Sequence, residues 1–456
     1  MDYFLVEGGA RLSGEIRIPG AKNAALPMMC AALLTEETCT FHNVPEISDI
    51  GVLLGIFDYL GAQTSWDKEQ KMVKIQAKNI DPSKLKSCED VKKFRASILM
   101  LGPLLARFGE CELFAPGGDI IGARSCDIHT KGMETLGAEI VSEGETIHLK
   151  YDQKDFATDR LLLTEASVTG TENLSLFIAG SGNAAELFFT AAEPHVCATL
   201  KMLQTMGAEI QGIGTHHLKI SGSKKLQGGG FTIPPDGILV GTYSIAALLT
   251  EGDIKIHNVD HNELLSFYGV LKQTGAQFDM KPNTLHVRKS PNLKAIRKIQ
   301  TAIFPGFSSD LQSLFGLLLT QCEGESMIFE TLYEGRFTYL SELEKMGAKV
   351  EFLNVHQAKV FGKTNFVGTE VQSWDLRAGA AMVLAGLIAE GQTKVTNIDY
   401  IDRGYEHFAK NLTALGAKIT RVEEVLPERQ HCGISPDTVG APALDPHSQR
   451  ACKSEL

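Results

Sequence analysis

The chain of 456 residues has no long apolar run and no excess of positive charge. Its longest plainly apolar run, at 378–389, is too short to span a bilayer, so we predict a buried helix there and no membrane association. The formal net charge of −11 argues against a general nucleic-acid-binding protein, which usually presents a basic face. An anionic small-molecule ligand stays compatible with this charge, provided that cations gather locally.

The sequence also lacks the cysteine spacings of zinc sites and disulfide frameworks. Its nine cysteines are scattered and odd in number, and no two form Cys-x-x-Cys. The N-terminal "MDYFLVEGGA" contains acids and no basic stretch, so we expect no signal peptide. Together these features favour a reducing, cytoplasmic compartment.

A repeat of about 70 residues runs through most of the chain. At six positions that follow one another at intervals of 68 to 76 residues, the dipeptide Gly-Ala comes after a hydrophobic or small residue. The segment "CAALLTEETCTFHNV" at 30–44 also matches "IAALLTEGDIKIHNV" at 245–259, about three repeats later. The pattern predicts two halves of three repeats each. The six glycines are Gly61, Gly137, Gly207, Gly275, Gly347 and Gly416.

Each repeat shows the same order of predicted elements. An apolar helix is followed by a β-rich run, an amphipathic helix that ends at its glycine, and a strand pair. The first helix is apolar nearly all round, so three buried helices wrapped by strands would make each domain. We predict a first domain at 22–230 and a second at 1–21 plus 231–425, in which the first strand pairs with the far half. The segment 426–456 is rich in Pro, Ser, Asp and His and predicts a disordered tail.

Polar side chains gather at the predicted starts of the six buried helices. Ser, Thr, Asn and Asp are ordinary helix caps, and we interpret Thr242 and Ser309 in this way. Capping does not explain Lys22, Arg95 and Arg377, because cations are disfavoured at the positive end of a helix dipole. An anion bound among them would resolve the conflict. The charged and amide residues at these starts are Lys22, Asn23, Arg95, Glu172, Asn173, Asp310, Asp375 and Arg377.

Two further arginines and one glycine-rich segment lie between the predicted elements. Arg336 in "YEGRF" and Arg403 in "IDRGYE" are each ordinary surface arginines if taken alone. With Arg377 they form a possible set, since arginine forks suit carboxylate and phosphate oxygens. The segment "PGGDIIGARSCDIH" at 116–129 combines two adjacent glycines with two acids and an arginine. The charges indicate that this pliable segment has a function.

These motifs together resemble the UDP-N-acetylglucosamine enolpyruvyl transferases, a branch of the EPSP synthase family. The similarity covers about residues 1 to 425 and includes "GAKNAALP", "FRASI", "PGGDIIGAR", "YEGRF", "DLRA" and "DRGYE" in this order. Asn23 after Lys22 favours this branch over the sister enzyme enolpyruvyl-shikimate-phosphate synthase, which typically has a Lys-Ser pair there. The resemblance implies an α/β (α+β) fold of two similar domains, each of three βαβαββ repeats in an inside-out α/β barrel.

The resemblance also implies an active site in the interdomain cleft and a reaction. Phosphoenolpyruvate would give its enolpyruvyl group to the 3-hydroxyl of UDP-N-acetylglucosamine and release phosphate, in the first committed step of peptidoglycan synthesis. No metal, cofactor or obligatory protein partner is implied. The loop 115–125 would close over the cleft as a lid.

The matching positions supply the expected site by resemblance. Asp119 at the lid tip, where many family members carry cysteine, would be the general acid, and Asp310 would be the base. Lys22 would be a further catalytic residue, with Asp375 in support. A lid acid without a catalytic duty and a structural helix cap at Asp310 stay open as alternatives. The expected phosphoenolpyruvate-binding residues are Lys22, Asn23, Arg124, Arg336, Arg377 and Arg403. The expected nucleotide-binding residues are Asn23, Arg95, Arg124, Ser125, Cys126, Asp127, Ile128, Glu165, Ala166, Ser167, Val168, Asp310 and Leu332.

Several positions depart from the family pattern, mainly at the nucleotide end and the interdomain stretch. Transfer to another hydroxyl acceptor, such as shikimate 3-phosphate, and a non-catalytic nucleotide-binding paralogue therefore stay open. We also expect resistance to fosfomycin, the epoxide that alkylates the family's cysteine, because the carboxylate of Asp119 is a poorer nucleophile than a thiolate. The family often carries lysine, a proline-valine pair, arginine and glutamate, respectively, where this chain has Glu165, Ser125–Cys126, Gly237 and Leu239.

Overall fold

The residues that the computed structural model describes are 2–118, 122 and 125–423. Two predicted site residues, Asp119 and Arg124, lie outside the described residues, as does the predicted tail at 426–456.

Short strands and helices alternate along the described part of the chain. The strands up to residue 232 are β1 (Tyr3–Glu7), β2 (Ser13–Arg17), β3 (Cys39–His42), β4 (Gln63–Asp67), β5 (Met72–Gln76), β6 (Glu110–Phe114), β7 (Glu139–Glu143), β8 (Thr146–Lys150), β9 (Arg160–Leu162), β10 (Ala184–Phe188), β11 (Glu209–Gln211), β12 (His217–Ser221) and β13 (Gly229–Thr232). The later strands are β14 (Asp253–His257), β15 (Phe278–Lys281), β16 (Thr284–Val287), β17 (Lys298–Gln300), β18 (Gly324–Phe329), β19 (Lys349–Asn354), β20 (Gln357–Gly362), β21 (Glu370–Gln372), β22 (Gln392–Thr396) and β23 (Lys418–Val422).

The helices connect these strands. They are α1 (Lys22–Ala31), α2 (Ser48–Leu60), α3 (Leu101–Phe108), α4 (Asp127–Leu136), α5 (Val168–Ser181), α6 (Pro194–Met206), α7 (Gly237–Leu249), α8 (Leu265–Gln273), α9 (Gln312–Leu319), α10 (Thr338–Lys345), α11 (Leu376–Ile388), α12 (Asp399–Asp402) and α13 (Phe408–Ala414). Short 3₁₀ turns lie at Ala32–Leu34, Pro82–Ser87, Glu89–Lys93, Arg95–Met100, His261–Leu264 and Ser309–Leu311.

Within the described residues the strands form five four-stranded sheets and one three-stranded sheet. Each four-stranded sheet contains one parallel pair and two antiparallel pairs. In three of them the parallel pair encloses a buried helix: β9–α5–β10, β17–α9–β18 and β21–α11–β22. The strand orders are β13-β3-β5-β4, β6-β8-β7, β11-β12-β10-β9, β15-β16-β14-β2, β17-β18-β20-β19 and β21-β22-β1-β23. Six related sheets match the six predicted repeats.

The N-terminal strand β1 belongs to the last of these sheets. It lies antiparallel between β22 and β23, with Phe4 opposite both Val395 and Arg421. The next strand, β2, pairs in parallel with β14. The prediction that the first strand pairs with the far half of the chain is confirmed.

The repeat glycines end the amphipathic helices, as predicted. Each has a positive φ, from 81° at Gly275 to 116° at Gly137, where a side chain would be strained. After α4, Gly137 N–H donates to the Glu134 carbonyl at 2.9 Å and Ala138 N–H donates to the Met133 carbonyl at 3.0 Å. This arrangement ends the helix and turns the chain into the next strand.

Two hydrophobic cores form around the six apolar helices. The first core includes buried residues from 24 to 233 and contains α1, α3 and α5; the second includes residues 4–18 and 239–417 and contains α7, α9 and α11. Two chain segments that connect the cores are bonded to each other, because Ala21 N–H donates to the Pro234 carbonyl at 2.7 Å. β13 crosses the predicted boundary at 230/231 and pairs with β3, so we propose that the domains divide after β13.

Two predicted helix caps are wrong. Asp236 caps α7 by accepting from the Ile238 N–H at 2.8 Å, so the helix begins upstream of Thr242. The Thr242 hydroxyl donates instead to the Ile238 carbonyl inside the helix, at 2.9 Å. Ser308, one residue before Ser309, caps the turn that leads into α9. In both cases a side chain nearer the start of the helix reaches the free N–H groups first.

Candidate active site

Three charged residues of the second core form a cluster, which we call the Asp310 cluster. The Asp310 carboxylate accepts from Arg336 Nη2 at 2.7 Å and from Arg377 Nη2 at 3.3 Å. Arg336 Nη1 also donates to the Ser309 carbonyl at 3.1 Å. Both arginines are buried, whereas 26% of the Asp310 side chain is exposed. The cluster therefore presents its carboxylate on the side that solvent reaches.

Local structure explains how Arg377 tolerates its place at a helix start. Asp375 caps α11, since its Oδ1 accepts from the Arg377 N–H at 2.7 Å and from the Ala378 N–H at 2.8 Å. The negative charge of this cap offsets the positive end of the helix dipole beside the guanidinium. The Tyr405 ring lies 5.3 Å from the Arg377 guanidinium carbon, within the range of a cation–π contact.

The electrostatics of the Asp310 cluster favour anions. Burial by itself would raise the pKa of Asp310, but the charges and hydrogen bonds of Arg336 and Arg377 outweigh it and hold this pKa well below its usual range. Arg336 Nε and Arg377 Nε and Nη1 are buried and donate to no acceptor within the part of the chain that the structure describes. The two guanidiniums have more N–H donors than the Asp310 carboxylate uses, so they can bind a second carboxylate.

A second group of charges, which we call the Asp49 cluster, joins the two cores. The Asp49 carboxylate accepts from Lys22 Nζ at 2.6 Å and from Arg403 Nε at 3.1 Å. Lys22 begins α1 and Asp49 lies in the first turn of α2, both in the first core, whereas Arg403 follows α12 of the second core. Ala21 provides no side-chain cap for α1, so the helix start and the Lys22 ammonium favour an anion together.

The two clusters adjoin through one short segment. Arg403 reaches Asp49, and two residues later Tyr405 packs on Arg377. The structure therefore brings the predicted residues Lys22, Arg336, Arg377, Arg403 and Asp310 into two neighbouring clusters where the cores meet. Asp49 was not among the predicted residues.

Predicted nucleotide-binding residues lie at the start of α4, in the first core. Arg95 Nη2 donates to the Ser125 carbonyl at 2.7 Å, and the Ser125 hydroxyl is hydrogen-bonded to the Asp127 carboxylate. Burial raises the pKa of the Cys126 thiol, although the charge of Arg95 acts in the opposite direction. Cys126 is therefore expected as a neutral thiol that contributes shape to this surface and no charge.

The second predicted nucleotide-binding segment packs against the first. Ser167 caps α5 by accepting from the Gly170 N–H at 3.3 Å. A Cβ on Gly170 would lie 2.9 Å from Ile128 Cγ2, so glycine permits the close approach of the two segments. Glu165 is exposed beside them. The structure thus places 125–128 and 165–168 on one surface. Ala166 and Val168 belong to this surface, and Asn23 follows Lys22 on α1.

A buried carboxylate that was not predicted organises the loop that holds Arg336. Glu330 accepts from the Leu332 N–H at 2.9 Å and from the Ser309 hydroxyl at 2.7 Å. It therefore ties this loop to the turn that carries Asp310. Because the Leu332 N–H is engaged, the Leu332 carbonyl is the group left for the predicted backbone contact.

The predicted lid reaches the second core. Within the loop, a Cβ on Gly122 would lie 2.6 Å from Glu334 Oε2, two residues before Arg336, and Gly122 has a φ of 139°. Glycine is required there both by its conformation and by this close approach. Asp119 and Arg124 are outside the described residues, so their expected roles stay predictions.

Comparison with known proteins identifies the family. A family model described as EPSP synthase (3-phosphoshikimate 1-carboxyvinyltransferase) matches residues 6–412. The chain belongs to the EPSP synthase family. Within this family it is 40% identical over 432 residues to the UDP-N-acetylglucosamine 1-carboxyvinyltransferase of Koribacter versatilis, covering 94% of this chain and 98% of that protein. It is 38% identical over 426 residues to the protein of the same name from Helicobacter acinonychis, covering 93% and 100%.

Solved structures of related transferases share the fold. The enolpyruvyl transferase NikO from Streptomyces tendae superposes with a TM-score of 0.83 at 24% identity, covering 92% of this chain and 99% of that one. EPSP synthase from Acinetobacter baumannii superposes with a TM-score of 0.71 at 18% identity, covering 93% and 100%. The predicted enolpyruvyl transferase fold is confirmed.

Among the described residues, no helix combines the length and the apolar character needed to cross a membrane. The same residues contain no group of three or more His, Cys, Asp or Glu side chains placed to hold a metal ion.

Proposed function

We propose that this chain transfers the enolpyruvyl group of phosphoenolpyruvate to the 3-hydroxyl of UDP-N-acetylglucosamine and releases phosphate. The observation that carries the proposal is the pair of adjoining clusters, in which four cations from both cores hold two carboxylates. Phosphoenolpyruvate carries a phosphate and a carboxylate on one small molecule, so it fits two neighbouring cation sites. Relatives with this activity in their names are 38–40% identical over nearly the whole chain, which favours this acceptor over shikimate 3-phosphate.

The phosphate of phosphoenolpyruvate belongs at the Asp49 cluster in this proposal. Lys22 and Arg403 supply an ammonium and a guanidinium, and the uncapped start of α1 adds backbone N–H groups. On the sequence resemblance, Arg124 of the lid adds a third cation. These groups would stabilise the negative charge that accumulates as phosphate leaves.

The carboxylate of phosphoenolpyruvate belongs at Arg336 and Arg377. Before it binds, Asp310 takes the position of this carboxylate between the two arginines. A substrate carboxylate that engages the same arginines would weaken their hold on Asp310. The proton affinity of Asp310 would then rise at the moment when a base is needed.

The proton transfers follow from these placements. Asp310 accepts the proton of the sugar 3-hydroxyl, whose oxygen forms a bond to C2 of phosphoenolpyruvate, while Asp119 donates a proton to the C3 methylene. The resulting tetrahedral intermediate loses a C3 proton to a base, its C2–O bond to phosphate breaks, and the enol double bond is restored. Closure of the lid would exclude water, which would otherwise attack C2 when this carbon carries partial positive charge.

The nucleotide would lie on the surface formed by 125–128 and 165–168, with Arg95 and Asn23 beside it. The product would enter peptidoglycan synthesis. We place the reaction in the cytosol, because the seven described cysteines are all free thiols. The cytosol is a reducing compartment, and synthesis of a peptidoglycan precursor is compatible with it.

Phosphate release tests the proposal. The purified full chain is given phosphoenolpyruvate alone, with UDP-N-acetylglucosamine, and with shikimate 3-phosphate. Strict dependence on the nucleotide sugar, together with a product heavier than the nucleotide by one enolpyruvyl group, is the expected result. Release with shikimate 3-phosphate, or tight nucleotide binding without any release, would contradict it.

Fosfomycin tests the assignment of Asp119. We expect no time-dependent inactivation of the native chain by fosfomycin, because a carboxylate opens the epoxide far more slowly than a thiolate does. Asp119→Cys is the matched variant and should be inactivated in the presence of the nucleotide sugar. Asp119→Asn should lose turnover by about two orders of magnitude or more, since an amide does not donate an acidic proton. Inactivation of the native chain, or full turnover by Asp119→Asn, would remove Asp119 from this role.

A further inference from the structure

A further set of contacts between the cores follows directly on Arg403. Glu406 of the second core is 9% exposed, and both of its carboxylate oxygens bind the first core. Oε1 accepts from Lys71 Nζ at 2.5 Å, and Oε2 accepts from the Glu46 backbone N–H at 2.8 Å. We call these contacts the Glu406 clamp.

The clamp and the Asp49 cluster are in register. Glu46 precedes Asp49 by three residues, and Arg403 precedes Glu406 by three residues. Two neighbouring contacts therefore join the cores, one from Glu406 to the backbone of residue 46 and one from Arg403 to Asp49. A change in one contact must displace the other, because only three residues separate them along the chain on each side.

Both ends of the clamp lie on ordered turns. Asn411 Nδ2 of α13 donates to the Glu406 carbonyl at 2.9 Å. His407, which follows Glu406, has a φ of 49°. Lys71 has a φ of 50° in the turn between β4 and β5, and its carbonyl accepts from the Val44 N–H at 2.9 Å. The two side chains are therefore presented to each other by fixed backbone, which lowers the entropy lost when they pair.

We propose that Lys71 and Glu406 are positioning residues that hold the two domains together and so keep Arg403 against the phosphate site. This inference rests on the proposed function. Neither residue would touch the substrate; both would act through Arg403, which binds the phosphate only while it faces Lys22 across the cleft. Their loss should weaken phosphoenolpyruvate binding and leave the chemical step largely intact.

The expected effect is modest and depends on salt. The Lys71 side chain is 38% exposed, so its ion pair is partly screened. We expect Lys71→Met, which keeps the apolar stem and removes the charge, to raise KM for phosphoenolpyruvate by about three- to fivefold with kcat within about twofold. The difference from the native chain should shrink as NaCl is added.

The same turn provides a matched control. Lys68 Nζ bonds to Glu46 Oε1 at 2.7 Å, so this exposed lysine forms its ion pair within the first core. Lys68→Met removes the same charge from the same turn and keeps both hydrogen bonds of the Glu406 carboxylate. It also keeps the contact between Glu46 Oε2 and His407 Nε2 of the second core, at 3.1 Å. We expect it to retain the native KM for phosphoenolpyruvate.

Four single variants and one double variant decide the proposal by steady-state phosphate release. The single variants are Lys71→Met, Lys71→Arg, Lys68→Met and Glu406→Gln. Lys71→Arg should restore the native KM for phosphoenolpyruvate, and Lys71→Met combined with Glu406→Gln should lose no more than Glu406→Gln alone, because the two residues act as one pair. Equal KM values for Lys71→Met and Lys68→Met would overturn the proposal. A loss confined to kcat in Lys71→Met would overturn it as well, whether or not Glu406→Gln folds.

The failure of the clamp and the failure of the proposed function can be told apart. If the native chain released no phosphate with the nucleotide sugar, the proposed function would fall, and small-angle scattering would then decide the clamp. Lys71→Met should have a larger radius of gyration than the native chain and Lys68→Met. Equal radii for all three would exclude a clamp.

Discussion

The two charge clusters differ in how they are built. The Asp310 cluster lies within one core and its arginines are held by buried neighbours, whereas the Asp49 cluster has Lys22 in one core and Arg403 in the other. A separation of the domains would leave the first intact and would take the second apart. Under the proposed function, the site for the substrate carboxylate would therefore be preformed, and the site for its phosphate would exist only when the domains are together.

The largest expected effect comes from breaking the preformed cluster at its carboxylate. Asp310→Asn keeps the shape of the side chain but cannot accept a proton from the sugar hydroxyl. We expect kcat to fall by about 100-fold or more. Asp279→Asn, at a surface pair with Arg288, is the matched control and should retain native turnover. Turnover of Asp310→Asn within about threefold of the native value would exclude Asp310 as the base.

The next test compares one arginine from each cluster. Arg403→Met should raise KM for phosphoenolpyruvate by about 10- to 100-fold, the loss of one charge-assisted contact, while the midpoint of denaturant unfolding changes little. Arg377→Met should lower the free energy of unfolding by about 3–5 kcal/mol as well, because it removes a partner from a buried ion pair. Kinetics and urea unfolding measure the two effects. Equal stability losses in both variants would contradict the distinction between a preformed and a divided cluster.

The smallest expected effect is a difference in the pH at which a buried group of each core loses its contribution to stability. His129 of the first core is 1% exposed, and burial, with the charge of Arg95, lowers its pKa to about 3. The folded chain then binds fewer protons than the unfolded chain between about pH 3 and 6.5, so stability falls as the pH falls through this window. Asp310 of the second core has a lowered pKa, so its contribution is lost only below about pH 4, near the ordinary carboxyl value.

Urea unfolding at several pH values checks whether the contribution of His129 is lost at higher pH than that of Asp310. We expect His129→Gln to remove about 2 kcal/mol of the stability difference between pH 6.5 and pH 5, because each pH unit is worth about 1.4 kcal/mol per proton. Asp310→Asn should leave the slope in that window unchanged. Identical slopes for the native chain and His129→Gln would show that His129 does not titrate on unfolding.

The repeats could be predicted from the sequence because they depend on local requirements. A helix that must turn sharply into a strand needs a residue with positive φ, and glycine meets this need at Gly61 and at each later repeat. Arg377 could be identified because a cation at a helix start conflicts with the dipole, and it was grouped with the loop arginines Arg336 and Arg403. The structure joins Arg336 to Arg377 at Asp310 and places Arg403 at Asp49 instead. Asp236 could have been identified as a cap, because it directly precedes the first residue of α7.

The contacts between domains could not be predicted. Asp49 is 354 residues from Arg403, and in the sequence it is indistinguishable from an ordinary acid in the first turn of a helix. Glu406 and Lys71 likewise show no local pattern, because their pairing depends on how two folded domains meet. Tertiary arrangement alone gives such residues their roles.

The placement of β1 between β22 and β23 has a consequence for biosynthesis. The sixth sheet needs residues 3–7 together with residues 392–422, so the second domain is incomplete until almost the whole described chain has left the ribosome. The first domain needs only the segment that ends with β13, and it can form while translation continues. During translation, β1 therefore stays without its partners β22 and β23 while the first domain folds, until the last strand has been synthesised.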